Sequence, residues 1–249
     1  MEHITSRKNK VIAHLRTLGM DAAYRRMHGE FVCDGEKFLS EALRHGAELV
    51  CALWSGTPTA DPDCAQYAVP RELLEYVSPL KTTPGPLFSV RMREKPLAPA
   101  GRRFIILDGV QDPGNVGTVI RSANAFGLDA VILTGGCADL YNPKTVRATM
   151  GAIFRQSVLE LPVEEAVRLV RGRGLTLCAA ALSDRAEDIR SAGIESAAYV
   201  VGSEGKGVSP EMLAQCDKTV IIPMNPDCES LNAAVAASIL AWEMGRRQD

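Results

Sequence analysis

Three stretches of the chain carry side chains whose types and spacing could do chemistry. The first sets an amide, a bare backbone position and a guanidinium together: Asn115, Gly117 and Arg121, the last two one helical turn apart. They follow an apolar run at 104–107, and a strand aimed into a tight turn and a helix N-terminus is how open α/β sheets present a ligand site. The second is V-G-S-E-G-K-G (Val201 to Gly207), where Gly202, Gly205 and Gly207 allow close backbone approach and leave N–H groups free for a ligand. Lys206 is followed by glycine rather than Ser or Thr, so this is not a Walker phosphate loop. The third runs from Val220-Ile221-Ile222-Pro223-Met224 to Ser230-Leu231-Asn232, ahead of an alanine-rich segment. Taken singly, each stretch has a plainer reading. Arg121 in the second turn of a helix reads first as a salt-bridge partner, the glycines as a strand–helix turn, and Ser230 and Asn232 as caps.

The elements that must position these residues are legible from periodicity. Pro113-Gly114 suits the centre of a type II turn, Asn115 a helix N-cap and Gly127 a C′ stop, with Val116, Val119, Ile120, Ala123 and Phe126 as the apolar stripe between them. Strands are expected at 104–107, 130–133, 157–160, 176–181, 198–202 and 219–222. Helices are expected at 116–126, 143–154, 163–173, 209–215 and 231–246, the last with Ser230 as its N-cap. Nearly continuous apolar strands separated by helices indicate a parallel sheet covered on both faces. Upstream, a small α/β unit is expected, with helices at 8–18, 36–46 and 71–77 and strands at 31–33 and 49–54. Residues 82–101, rich in proline, glycine and charge, read as a linker.

Bulk properties bound the function. At 249 residues, with 46% hydrophobic and 23% charged residues, the chain has material for a real core and one or two domains. No apolar run has the length of a membrane span and the N-terminus lacks a signal-peptide core. Seven cysteines, at 33, 51, 64, 137, 178, 216 and 228, form no C-x-x-C pair, which argues against structural zinc or a disulfide framework and for the cytoplasm. Four histidines, all within the first 45 residues, show no metal-ligand spacing, so no metal is expected. The net charge of −2 gives no globally basic surface, yet residues 1–28 hold Arg7, Lys8, Lys10, Arg16, Arg25 and Arg26 against only Glu2 and Asp21. Such a patch serves equally as a solvated helix face or a phosphate-binding surface.

Together the three stretches are far more specific than any one. Their order and spacing resemble the SpoU (TrmH-like) family of RNA 2′-O-ribose methyltransferases, in the SPOUT superfamily, over about residues 102–247. D-P-G-N-V-G-T-V-I-R-S-A is similar to the family's first motif, V-G-S-E-G-K-G to its second, and I-P-M with S-L-N to its third. N-P-K-T-V-R-A-T-M-G-A-I-F-R (Asn142 to Arg155) is similar to its intervening segment. I-T-S-R-K-N-K (Ile4 to Lys10) and E-F-V-C-D-G-E-K-F-L-S-E-A-L (Glu30 to Leu43) are similar to the substrate-binding domain that many members carry.

The resemblance implies an α/β trefoil knot with a parallel sheet over 96–249, preceded by a small L30e-like α/β RNA-binding domain over 1–95. It implies S-adenosylmethionine as methyl donor, a homodimer, and methyl transfer to a ribose 2′-OH. By analogy Arg121, Asn115, Glu204, Ser230 and Asn232 are the catalytic set. Thr134, Gly135, Gly202, Ile222, Met224 and Leu231 are the cofactor-binding set, and Arg7, Lys8, Lys10, Arg25 and Arg26 meet RNA. Whether Arg121 shifts a proton or only stabilises charge is left open, since a free guanidinium does not normally act as a base. Ribosomal RNA of 23S type is the preferred substrate, with tRNA, tRNA base methylation and an inactive RNA-binding member as alternatives. One departure from the family is the loop Asn225-Pro226-Asp227-Cys228-Glu229, where Pro226 stiffens a segment expected to touch the cofactor.

Overall fold

Strands whose side chains are buried on both faces form the middle of each sheet, and helix caps decide where the chain leaves them. The computed structural model describes residues 1–249 except 94–100, 184–185, 193–195, 226, 229 and 247–249. The expectation for Pro226 therefore lies outside the described residues. The chain divides into two units, Met1–Lys95 with Asp139–Arg155, and Pro96–Ala138 with Gln156–Asp249.

The first unit runs β1 (Glu2–His3), α1 (Lys10–Met20), α2 (Ala22–His28), β2 (Glu30–Asp34), α3 (Glu36–Arg44), β3 (Leu49–Trp54), β4 (Ala65–Ala68), α4 (Arg71–Val77) and β5 (Leu87–Arg91). Its sheet has the order β1-β4-β3-β5-β2, with β5 antiparallel to both neighbours. The apolar faces of α1 (Ile12, Leu15, Leu18) and α4 (Leu73, Leu74, Val77) cover Val32, Leu53 and Leu87 of the sheet. Asn9 starts α1 by accepting from the Val11 N–H at 2.8 Å. Asp21 closes that helix and caps α2, which periodicity did not reveal.

The linker expected at 82–101 is corrected over 87–91. Leu87, Phe88, Ser89 and Val90 are all buried in a central strand. A strand packed on both faces shows no alternation, and flanking prolines disguised it further. Residues 94–100 of that stretch lie outside the described residues.

The second unit begins with β6 (Phe104–Asp108), α5 (Pro113–Ala125) and β7 (Ala130–Thr134). The chain then makes the excursion Asp139–Arg155, which groups with the first unit and holds α6 (Pro143–Ala148) and a 3-10 turn (Ala152–Phe154). A single helix over 143–154 was expected. It breaks because Met150 and Gly151 have φ of 49° and 90°, which no right-handed helix accommodates. β8 (Val158–Glu160), α7 (Val163–Gly172), β9 (Thr176–Ala180), β10 (Glu187–Asp188), β11 (Ala197–Gly202), α8 (Pro210–Leu213), β12 (Lys218–Ile221) and α9 (Ala233–Arg246) complete it. The sheet is parallel throughout, in the order β10-β12-β9-β11-β6-β7-β8. One face packs Phe104, Ile106, Ile132 and Val200 on Ala166, Val167 and Val170 of α7. On the other, α5 and α9 pack together and against β7 and β11.

Two helix starts differ from expectation. Pro113 and Gly114 open α5 rather than forming a type II turn, and Asp112, not Asn115, is the N-cap, accepting from the Asn115 N–H at 2.8 Å. Proline suits a first helical position because the donor it lacks has no partner there. At the start of α9, Asn232 and not Ser230 caps, its Oδ1 accepting from the N–H groups of Ala234 (2.9 Å) and Val235 (3.3 Å). Gly127 ends α5 in the left-handed region as expected, with φ of 67°.

Crossovers diverge between β6 and β11: the chain continues to β7 on one side and to β12 on the other. That switch point is where the strand ends are tied. Asp108, Gly202 and Thr134 are register partners at the ends of β6, β11 and β7. The buried Asp108 carboxylate accepts from the Thr134 hydroxyl at 3.1 Å and from the Ser209 N–H at 2.7 Å.

Two substitutions test this account by chemical denaturation. Phe88→Ala is expected to cost about 3–5 kcal/mol as a buried aromatic in a central strand, and near zero were 87–91 a linker. Asp108→Ala leaves the Ser209 N–H and the Thr134 hydroxyl without their shared acceptor and is expected to cost about 1–3 kcal/mol.

Candidate active site

A cavity of about 390 Å³ opens at the carboxyl ends of β9, β11 and β12. Its wall is largely backbone and apolar side chains: Gly202, Ile222, Met224 and Leu231 line it, with Glu204 and Ser230. The glycine loop shapes it. Ser203 and Gly207 exchange backbone hydrogen bonds, 3.1 Å from the Ser203 N–H and 2.8 Å from the Gly207 N–H, folding the loop back on itself. A Cβ at position 202 would sit 1.9 Å from the Gly207 carbonyl carbon, so the fold requires glycine there. Gly207 itself needs φ of 67°.

Three of the anticipated polar residues form one hydrogen-bonded chain. Asn115 donates from Nδ2 to Glu204 Oε1 and accepts at Oδ1 from Asn232 Nδ2, the latter at 3.2 Å. Because Asp112 takes the capping duty of α5, the Asn115 amide is free to bridge the glycine loop and the start of α9. Glu204 is thereby held at the cavity rim, and it is the one carboxylate among the described lining residues.

The remaining anticipated residues fall elsewhere. Arg121 is exposed on α5, six residues or about 9 Å of helix rise beyond Asn115. It makes no ion pair or hydrogen bond among the described residues, so the salt-bridge reading finds no partner there. Thr134 is buried, bonded to Asp108, and Gly135 follows it with φ of 63°; neither lines the cavity. Among the basic residues, Arg7, Lys8, Lys10 and Arg26 are exposed. Arg25 is a correction. It is buried, ion-paired to Asp139 at 2.5 Å and bonded to the Leu18 carbonyl at 2.8 Å, so it stabilises the first unit instead of facing a ligand.

Sequence reasoning missed Ala180, Ala181, Leu182 and Lys206, which also line the cavity. The end of β9 reaches the site only because β9 lies beside β11, and strand order has no signature in composition. Lys206 was visible in the glycine motif but carried no assigned role.

Cys137, at these strand ends, is held as a donor rather than poised as a nucleophile. Cys137 donates to the carbonyls of Leu107 (3.2 Å) and Thr134 (3.1 Å), and burial pushes its thiol above the ordinary range. All seven cysteines are free thiols. A second, more open cavity of about 480 Å³ lies on the outer face of α5 and α9, with Asn115, Thr118, Val235, Ile239 and Trp242 in its wall. Val235 and Trp242 are 47% and 51% exposed there, side by side on one apolar face.

Known proteins are similar to this chain in sequence and fold. The model of the SpoU rRNA Methylase family matches residues 102–242. The 23S rRNA (guanosine(2553)-2′-O)-methyltransferase RlmP of Bacillus subtilis is 32% identical over 98% of this chain and 99% of its own length. The AdoMet-bound rRNA methyltransferase of Sinorhizobium meliloti superposes with a TM-score of 0.89 at 25% identity, covering 100% of this chain and 98% of that one. The SpoU methyltransferase AviRb of Streptomyces viridochromogenes, in complex with AdoMet, gives a TM-score of 0.85 at 27% identity over 97% and 98% of the two chains. With its parallel sheet, its glycine-walled cavity and this full-length similarity, the chain belongs to the SpoU rRNA methylase family.

Proposed function

We propose that the protein transfers a methyl group from S-adenosylmethionine to a ribose 2′-hydroxyl of ribosomal RNA, of 23S type. The observation that carries this reading is Glu204, in the wall of a cavity lined by the glycine loop and apolar residues and joined through Asn115 to Asn232. Ribosomal RNA is favoured over tRNA because the similarity to RlmP, named for 23S rRNA, runs through the whole chain, the first unit included. Residues 1–95 are assigned to RNA recruitment and 96–249 to methyl transfer, and the protein to the cytoplasm.

The residues present fit S-adenosylmethionine. The folded loop that walls the space requires glycine at 202, the walls at Ile222, Met224 and Leu231 are apolar, and Glu204 offers a carboxylate to a cationic donor. When bound, this donor supplies an electrophilic methyl on a sulfonium. The chain's own residues then have to orient the ribose and manage charge on its oxygen. Asn115 fixes the Glu204 carboxylate, Ser230 adds a hydroxyl to the cavity wall, and Asn232 holds Asn115 in place. Arg121, whose guanidinium is a donor and a poor base, holds the charge that develops on O2′ as the hydroxyl proton passes to solvent.

Arg121 lies away from its own protomer's cavity lining, and a homodimer supplies the geometry: Arg121 reaches the cavity of a second copy. The exposed Val235 and Trp242 on the α5–α9 face support that interface. The return of α9 from outer strand β12 to pack on α5 and β11, beside the folded glycine loop, supports threading of the C-terminal segment as a deep trefoil knot.

Arg121→Ala is expected to lower ribose methylation by about 10²–10³-fold. Calorimetric affinity for S-adenosylmethionine should remain close to that of the unaltered protein. Undiminished turnover in this variant overturns the role given to Arg121.

A further inference from the structure

We propose that Arg7, Arg16 and Tyr76 form a clamp for the phosphodiester backbone of RNA, a deepening of the RNA reading above. Tyr76 lies on α4, its ring half-buried against the core of the first unit. The Arg7 guanidinium lies 4.5 Å and the Arg16 guanidinium 4.0 Å from its ring centroid. Arg16 also donates from Nη1 to the Tyr76 carbonyl, which fixes its stem to α4. One ring thus gathers two like charges.

Nothing described neutralises them. Helix α1 contains no acidic residue, Asp21 is spent on capping α2, and Glu75 of α4 is paired with Arg71 at 2.9 Å. Glu72, also on α4, forms no ion pair among the described residues. Other arginines of this unit, Arg25, Arg91 and Arg155, have carboxylate partners. Two guanidiniums gathered at one ring without a counter-ion repel each other, and an anion bound beside them relieves that repulsion. Arg7, exposed and without a hydrogen bond among the described residues, keeps its whole N–H fork for phosphate oxygens, and Arg16 keeps the N–H groups not given to the Tyr76 carbonyl. The exposed Lys8 and Lys10 continue the positive surface along the start of α1. Because the ring is occupied by cations, it reads as a platform for the backbone rather than as a stack for a base. The clamp is therefore indifferent to sequence, which suits a recruiting unit.

The test is binding of a fluorescent single-stranded oligoribonucleotide of mixed sequence to the full chain, followed by anisotropy across a salt series. Arg7→Ala, which breaks no hydrogen bond, should lower the slope of log K against log salt by about 0.7, one phosphate contact on a single strand. Arg7→Ala with Arg16→Ala should lower it by about twice that. Tyr76→Phe should bind as the unaltered protein does, and Tyr76→Leu should bind several-fold more weakly with both cations still present. An unchanged slope in the Arg7→Ala variant overturns the clamp, as does full binding by Tyr76→Leu. Failure of the methyltransferase reading shows separately, as an absence of methyl transfer by the unaltered protein on ribosomal RNA.

Discussion

Position 202 admits no side chain, and most of the site depends on that fact. A Cβ there would overlap the Gly207 backbone, so only glycine lets the loop after β11 fold back on its own strand. The fold-back makes the Ser203–Gly207 hydrogen bonds, walls one side of the cavity and brings Glu204 to Asn115. Asp108 anchors the loop from below, gripping the Ser209 N–H just past its end while holding Thr134 on the neighbouring strand. The switch point between β6 and β11 thus becomes a walled site rather than an open crevice.

The two helices beside it carry the polar chemistry, and capping decides which side chains are available for it. Asp112 satisfies the first turn of α5, so Asn115 sits inside the helix with its amide unspent. Asn232 does both jobs, its oxygen capping α9 and its nitrogen donating to Asn115. Close packing makes this reach feasible. Ser238 donates to Ser122 at 2.8 Å across the helix pair, and a Cβ at Gly245 would lie 2.8 Å from the Phe126 carbonyl oxygen. Helices held this near place two asparagines from distant parts of the chain in contact.

Much of the second unit was legible because its strands are apolar runs of ordinary length separated by helix signals. Glu204, Asn115 and Asn232 were recoverable from the three motifs, whose convergence the family resemblance supplied. What could not be read depended on partners remote in sequence. β5 was hidden because both its faces are buried and prolines flank it. The caps at 112 and 232 were displaced from the expected 115 and 230 because several polar residues compete at each helix start, and only backbone geometry chooses among them. Arg25 was indistinguishable from its exposed neighbours Lys10 and Arg26 until Asp139, far along the chain, was placed beside it. Ala180 to Leu182 joined the site through strand order, which no local pattern encodes.

The central claim is the position of the transferred methyl. Unmethylated ribosomal RNA incubated with the protein and S-adenosylmethionine labelled in its methyl group, then hydrolysed completely in alkali, reads that position directly. Alkaline cleavage needs a free 2′-hydroxyl, so a methyl on that oxygen protects the adjoining linkage. The account predicts that the label appears in alkali-resistant dinucleotides. Label released in mononucleotides, which marks methylation of a base, would contradict it.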